Sequence, residues 1–229
     1  MIEIKVKSAA QWRGFDKCHL GISLHNPNLE GERLLAIIEW INNQKFSECF
    51  IDLSDSLHRH NLMARHGLDE KEALMRATDE GTLWLDKNGA ILDRLRIPYR
   101  LYRWNHWFSF EDVAIGMDAF QRAFLGNDEF RAAVYRDVYS LTSRSGVPLD
   151  TSRLSSSVRY LLEELAVLSF YFRDYPCAKI YPGREQYSFR MVREGLVPGV
   201  PKGLANGFYT QLWLHRPEHA SVEAGRAAA

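Results

Sequence analysis

KCHLGISLHNPN, residues 17–28, decides how the chain is read. A short apolar run ends on Gly21-Ile22-Ser23, a polar loop follows, and Pro27 opens an amphipathic helix running to about Gln44. Leu34, Leu35, Ile37, Ile38 and Ile41 fall on one side of that helix. The order is therefore strand, turn, helix, with a serine at the carboxyl end of the strand. In open α/β sheets that edge is where ligands bind. Asn26 can cap the helix with Pro27 in its first turn, which points the positive helix end at Ser23. A serine after a strand is more often a turn former than a nucleophile, so the position needs support from elsewhere.

The same alternation continues outward. IEIKV (2–6) reads as an edge strand, CFIDLSD (49–55) as an apolar strand ending in aspartates, and PYRLYRW (98–104) as another. CAKIYP (177–182) and GFYTQLWL (207–214) supply the last two. Helices are expected over 57–66 and 70–95, with Gly67 as a C-cap between them, then over 110–125 and 128–145. A long helix over 152–173 is capped by Asp150, Thr151 or Ser152 and ended by Pro176. Strands alternating with helices predict an α/β fold with a doubly wound, mostly parallel sheet flanked by helices. Neither repeat nor linker divides the pattern, so 1–217 reads as a single domain and 218–229 as a disordered tail.

Composition narrows the classes. Of 229 residues, 46% are hydrophobic and 25% charged, and Lys+Arg and Asp+Glu are both 29, so net charge gives no lead on nucleic acid. The three cysteines, Cys18, Cys49 and Cys177, lie in apolar runs without CxxC or Cys/His ligand spacing, so no metal is expected. MIEIKVKSAA lacks the apolar core of a signal peptide, and no run reaches about 18 apolar residues. A reduced, cytoplasmic protein away from membranes is expected.

Four groups of residues could carry chemistry. His19, Gly21 and Ser23 share one strand face; Gly21 either leaves room for a substrate beside Ser23 or permits close helix packing. His25 stands where a G-x-S-x-G elbow needs glycine, so the lipase motif fails, and without a G-x-G-x-x-G or a P-loop no nucleotide cofactor is expected. On SVRYLLEELAVLSFYF, Tyr160, Glu164, Val167 and Tyr171 follow one another at one-turn spacing. A tyrosine and a carboxylate so placed can converge on an ammonium, or be a half-buried tyrosine beside a solvated glutamate. The run RLRIPYRLYRWNHW (94–107) holds Arg94, Arg96, Arg100 and Arg103 without an acid, interleaved with Tyr99, Tyr102 and Trp104. That suits nucleic-acid contact as well as a core strand with snorkelling arginines. In AKIYPG, Lys179 and Tyr181 share a face. His58 and His60 read as surface residues.

Taken together, Gly21-Ile22-Ser23, Asn26, Tyr160-Leu161-Leu162-Glu163-Glu164 and Tyr181-Pro182 resemble the tRNA-dependent cyclodipeptide synthases. The family's first signature is H-x-aliphatic-aliphatic-G-aliphatic-S. Here it reads KCHLGIS, with Lys17 for the histidine and His19 for an aliphatic residue. The second, Y-aliphatic-x-E-x-P, reads YLLEEL, with Leu165 for the proline. Tyr181-Pro182 is similar to the family's Tyr-Pro branch, whereas Asn26 is associated with the other branch. The resemblance covers about residues 2–215 and implies a Rossmann-like fold similar to the catalytic domain of class I aminoacyl-tRNA synthetases.

It also implies an aminoacyltransferase that takes two aminoacyl-tRNAs, needs no cofactor, and works as a monomer. Ser23 would attack the first aminoacyl ester; a second aminoacyl-tRNA would supply its amine, giving a dipeptidyl-enzyme; the dipeptide's own amine would then release a diketopiperazine. By the same matching Tyr160 and Glu164 hold the first ammonium, Tyr181 orients the acyl-enzyme with Asn26, and His19, Gly21, Lys179 and Val167 bound the first side chain. A histidine and a lysine in that pocket suggest an acidic first residue. Arg94, Arg96, Arg100 and Arg103 would bind tRNA. Two rivals remain: a non-catalytic tRNA-binding paralogue of a class I synthetase domain, and a serine hydrolase, for which no histidine base can be assigned.

Overall fold

A computed structural model describes residues 2–8, 10–142 and 150–216; the expected tail over 218–229 lies outside them. Its strands are β1 (Glu3–Val6), β2 (Lys17–Ile22), β3 (Glu48–Leu53), β4 (Tyr99–Arg103), β5 (Ala178–Tyr181) and β6 (Phe208–His215). They form one six-stranded sheet in the order β1-β6-β5-β2-β3-β4. Every neighbouring pair is parallel except β1 with β6, so the edge strand expected at the start is the antiparallel one. The chain steps outward from β2 to β3 and β4, then returns to the other side of β2 with β5. The switch point of this Rossmann-like sheet therefore lies between β2 and β5.

The helices are α1 (Gly31–Asn42), α2 (Arg59–His66), α3 (Glu70–Leu92), α4 (Glu111–Gly126), α5 (Asp128–Thr142), α6 (Thr151–Asp174) and α7 (Tyr187–Arg193). Strand alternation divides them between two faces. Cys18, Leu20 and Ile22 of β2 meet Ile37, Ile38 and Ile41 of α1 and Trp84 and Leu92 of α3 in one core. The opposite core gathers α4, α5 and α7 around α6, whose Leu161, Leu165, Leu168 and Phe172 are buried. Each such side chain contributes about 1.5–3 kcal/mol by leaving water. Gly203 lets the turn after α7 lie on α6: a Cβ there would sit 1.7 Å from the Ser169 carbonyl oxygen. Gly67 ends α2 at φ 66°, as its spacing predicts.

Two expectations change. The helix expected from Pro27 is broken: Pro27–Leu29 is a single 3-10 turn, Glu30 is extended, and α1 begins at Gly31 with φ 52°. Asn26 does cap, accepting from Asn28 N at 3.0 Å, but it caps only that turn. No long helix dipole starts beside Ser23. The second change is α7, a helix of seven residues that the sequence pattern does not announce; it is too short for a 3.6-residue period to declare itself. The three cysteines are buried and unlinked, and burial raises the Cys18 and Cys177 thiols well above their usual value. None of the described helices is long and apolar enough to cross a membrane.

Candidate active site

Ser23 directly follows β2, and Tyr181 closes β5, so the two stand at the carboxyl ends of neighbouring parallel strands. Ser23 Oγ lies 3.1 Å from the Tyr181 hydroxyl. The Asn26 amide donates to the same hydroxyl at 3.3 Å, and Asn26 N donates to the Ser23 carbonyl at 3.3 Å. Asn26 thus turns the loop and holds Tyr181 against the serine. Tyr160 reaches in from α6: burial, then the charge of Glu164 and the Tyr181 phenol, push its hydroxyl well above the usual value, and its contact with Ser23 pulls the other way. Burial also raises Tyr181. Both phenols stay protonated and can donate to a developing oxyanion.

One turn along α6 from Tyr160, Glu164 is partly buried, with Oε1 3.6 Å from Lys179 Nζ. Lys179 is itself buried and lies 4.8 Å from the Phe189 ring centroid. Burial lowers its pKa, and Glu164 opposes that. Behind Lys179 a narrow cavity runs between Phe172, Glu185, Phe189, Leu204 and Tyr209. Gly21 opens onto the same face. A Cβ there would meet only the His19 and Tyr181 side chains, at 3.6 and 3.9 Å, so the space beside it is not taken by a packed helix.

His19 does not open onto that space. It is 1% exposed, its Nε2 is 2.8 Å from Asp52 Oδ2, and its ring packs on Tyr171 and Phe172. Val167 is likewise buried in the core beneath the site. Glu163, next to Glu164, points elsewhere and accepts from Arg59 twice, at 2.9 and 2.6 Å, from Trp104 Nε1 at 3.0 Å, and shares a hydrogen bond with His60 at 2.9 Å. Burial alone would raise this carboxyl, but His60 and Arg59 outweigh burial and hold it below its usual value. His58 and His60, expected at the surface, are both 4% exposed. His60 belongs to this brace, and His58 sits near His25 and Glu80.

The arginine run is not an unpaired basic face. Arg94 and Arg96 share Glu39, and Arg100 bonds Glu48 at 2.8 Å. Arg103 turns inward to Asp55, the Thr78 carbonyl and Thr82, and is the least exposed of the four, with 31% of its side chain open to solvent. Its partner Asp55 also accepts from Ser56 N and Trp104 N, so that aspartate braces the sheet edge. Of the aromatic residues interleaved there, Trp104 is core and Tyr102 stacks on His106 at 4.8 Å.

What the cluster can do follows from its members. Ser23 carries an oxygen nucleophile, two protonated phenols adjoin it, and an anionic-cationic pair stands one turn away. Among the described residues neither a histidine nor a carboxylate is hydrogen-bonded to Ser23 Oγ, which leaves a hydrolase triad without its base.

No protein-family model matches the sequence, and no curated protein matches it. Solved structures do. A CDPS (cyclodipeptide synthase) from Fluoribacter dumoffii superposes with a TM-score of 0.81 at 21% identity, over 94% of this chain and 100% of that one. A cyclodipeptide synthase from Candidatus Glomeribacter gigasporarum, solved with Phe-tRNAPhe bound, gives 0.65 at 20% identity over 93% and 92%. A tyrosyl-tRNA synthetase from Archaeoglobus fulgidus, complexed with L-tyrosine, gives 0.51 at 13% identity, over 90% of this chain and 57% of that one. The chain has the fold these proteins share.

Proposed function

We propose that this chain, folded as the cyclodipeptide synthases are, joins two aminoacyl-tRNAs into a diketopiperazine through an aminoacyl ester on Ser23. The observation that carries the reading is the meeting of Ser23, Tyr181 and Asn26 at the β2/β5 switch point with Tyr160 and Glu164 alongside. Ser23 Oγ attacks the aminoacyl ester; the ribose oxygen leaves with the serine proton, and one ester replaces another at nearly equal energy. Positioning and oxyanion stabilisation then suffice, and Tyr160 and Tyr181 are placed to donate. The Oε1 atom of Glu164 faces Lys179, which leaves Oε2 for the incoming α-ammonium.

Atom balance reverses the second step expected from the resemblance, in which the second aminoacyl-tRNA supplies its amine. A dipeptidyl-enzyme forms when the enzyme-bound amine attacks the ester of the second aminoacyl-tRNA, releasing that tRNA; attack in the opposite sense would leave the dipeptide on tRNA. The free amine of the dipeptide then attacks the serine ester, closes the ring and frees Ser23. An acidic first side chain is the narrower form of this reading. It now rests on Lys179, since Asp52 occupies His19. At 3.6 Å Glu164 leaves the Lys179 ammonium short of a full charge-assisted bond. Tyr181-Pro182 supports the Tyr-Pro branch, and Arg94, Arg96 and Arg100 supply the tRNA surface. Incubation with a mixed pool of charged tRNAs tests the reaction and the acidic pocket: cyclodipeptides containing glutamate or aspartate are expected. Purely apolar products would remove the acidic pocket, and no cyclodipeptide at all would favour the non-catalytic tRNA-binding reading.

A further inference from the structure

His25, His58 and Glu80 reach one point from three separate segments, the loop after Ser23, the 3-10 turn before α2, and α3. Their donor atoms all lie within 4.8 Å of one another. His25 Nε2 is 2.9 Å and His58 Nε2 3.7 Å from Glu80 Oε2, and the two rings stand 4.9 Å apart. We propose that these three side chains form a binding site for a borderline divalent cation such as Zn2+, with the fourth position open to water.

Two imidazoles and one carboxylate are a donor set that zinc accepts in tetrahedral geometry at about 2.0–2.1 Å. Such bonds place neighbouring ligand atoms roughly 3.3 Å apart, between the two separations to Glu80 seen here, so side-chain rotations close the site. The surroundings are those of a held ligand set. Asn61 Nδ2 is 3.1 Å from His58 Nδ1 and fixes that ring, and Arg76 Nε bonds Glu80 Oε1 at 2.9 Å, leaving Oε2 toward the histidines. His25 is held at φ 60°, a left-handed backbone unusual for a residue with a side chain. Binding moves each ring proton to Nδ1, where His58 then donates to the Asn61 oxygen after its amide turns over. Arg76 opposes the cation electrostatically, which argues for a moderate affinity. The expectation that no metal binds rests on ligand spacing along the chain, and donors at 25, 58 and 80 have none to show. A cation here would tie the loop bearing Ser23 and Asn26 to α3.

The test is a titration of the full chain, stripped with chelator, using Zn2+ by calorimetry and Co2+ by visible absorption. The wild type should take one equivalent and give tetrahedral Co2+ bands. Loss of an outer-shell partner alone costs about 10–100-fold, so Glu80→Gln and His25→Asn should each weaken binding by at least about 100-fold. His25→Asn keeps a residue that tolerates the left-handed backbone, and circular dichroism confirms that both variants are folded. Failure of the wild type to bind, or equal binding by the wild type and both variants, overturns the site.

Discussion

Glu163 and Glu164 are neighbours in sequence, about 100° apart around α6, and the structure gives them different partners. Glu163→Gln keeps the shape and removes the charge. Arg59, 9% exposed at its side chain, then loses the carboxylate that took both its Nη atoms and keeps only the Ser56 carbonyl and the longer contact from Nε to the exposed Glu70, while Trp104 and His60 face a neutral amide. Breaking a buried pair of this kind costs about 3–5 kcal/mol. In a chain of this size each kcal/mol lowers Tm by about 2–4 °C, giving a fall of roughly 6–20 °C. Glu164→Gln leaves that network whole and releases only the longer contact to Lys179, so its Tm should fall far less. Its effect belongs in turnover: a hydrogen bond to a charged group is worth about 1.5–3 kcal/mol, or roughly 10–150-fold in rate. Thermal unfolding by circular dichroism and initial rates of cyclodipeptide formation on both variants separate the roles. Equal melting temperatures, or a greater loss of turnover per folded molecule in Glu163→Gln, would refute the assignment.

The Glu163 brace should also show in acid. Its folded pKa is depressed, so its stabilisation is present in full above the unfolded value of about 4.3 and is lost as pH falls through the folded value; urea unfolding at pH 7 and at about pH 3.5 should show less acid loss in Glu163→Gln than in wild type. Arg103→Ala should destabilise by roughly 2–4 kcal/mol, below the full buried-pair cost because Arg103 is 31% exposed, as read by chemical denaturation. Arg100→Ala should leave stability nearly unchanged and reduce the salt dependence of tRNA binding by about 0.7–0.9 in log–log slope for each phosphate it no longer neutralises; an unchanged slope places the tRNA surface elsewhere. Gly203→Ala drives a Cβ against the Ser169 carbonyl oxygen and should cost about 3 kcal/mol or more, whereas a neutral melt would mean that the turn does not lie on α6.

The fold is legible in the sequence where one force dominates. β2, β3 and β5 are buried on both faces and read as apolar runs, and the stripe Leu161, Leu165, Leu168, Phe172 marks α6. Gly67 and Asp150 announce helix ends through backbone chemistry local to each. What stays hidden depends on partners distant in sequence. Nothing in YLLEEL says that Glu163 finds Arg59 and Trp104 while Glu164 faces Lys179. Arg103 looks like its neighbours because Asp55 and Thr78 are 48 and 25 positions away. His58 and His60 sit among polar residues and read as surface; their burial comes from α6 and α3 packing over them. The helix after Pro27 fails because Glu30 stays extended and Gly31 takes a positive φ, a choice the apolar period cannot record. Within the site, Ser23, Asn26 and Tyr181 are legible and are in contact, whereas His19 is assigned to the pocket by parity alone, which fixes a face but not a partner.

The central claim is that Ser23 becomes the acyl carrier. Intact-protein mass spectrometry after brief incubation with charged tRNA and an acid quench measures it directly. The wild type should gain the mass of one aminoacyl group, mapped by peptide analysis to Ser23, and Ser23→Ala should gain none and form no cyclodipeptide. Product formation by Ser23→Ala at the wild-type rate, or an adduct mapped to another residue, would contradict it.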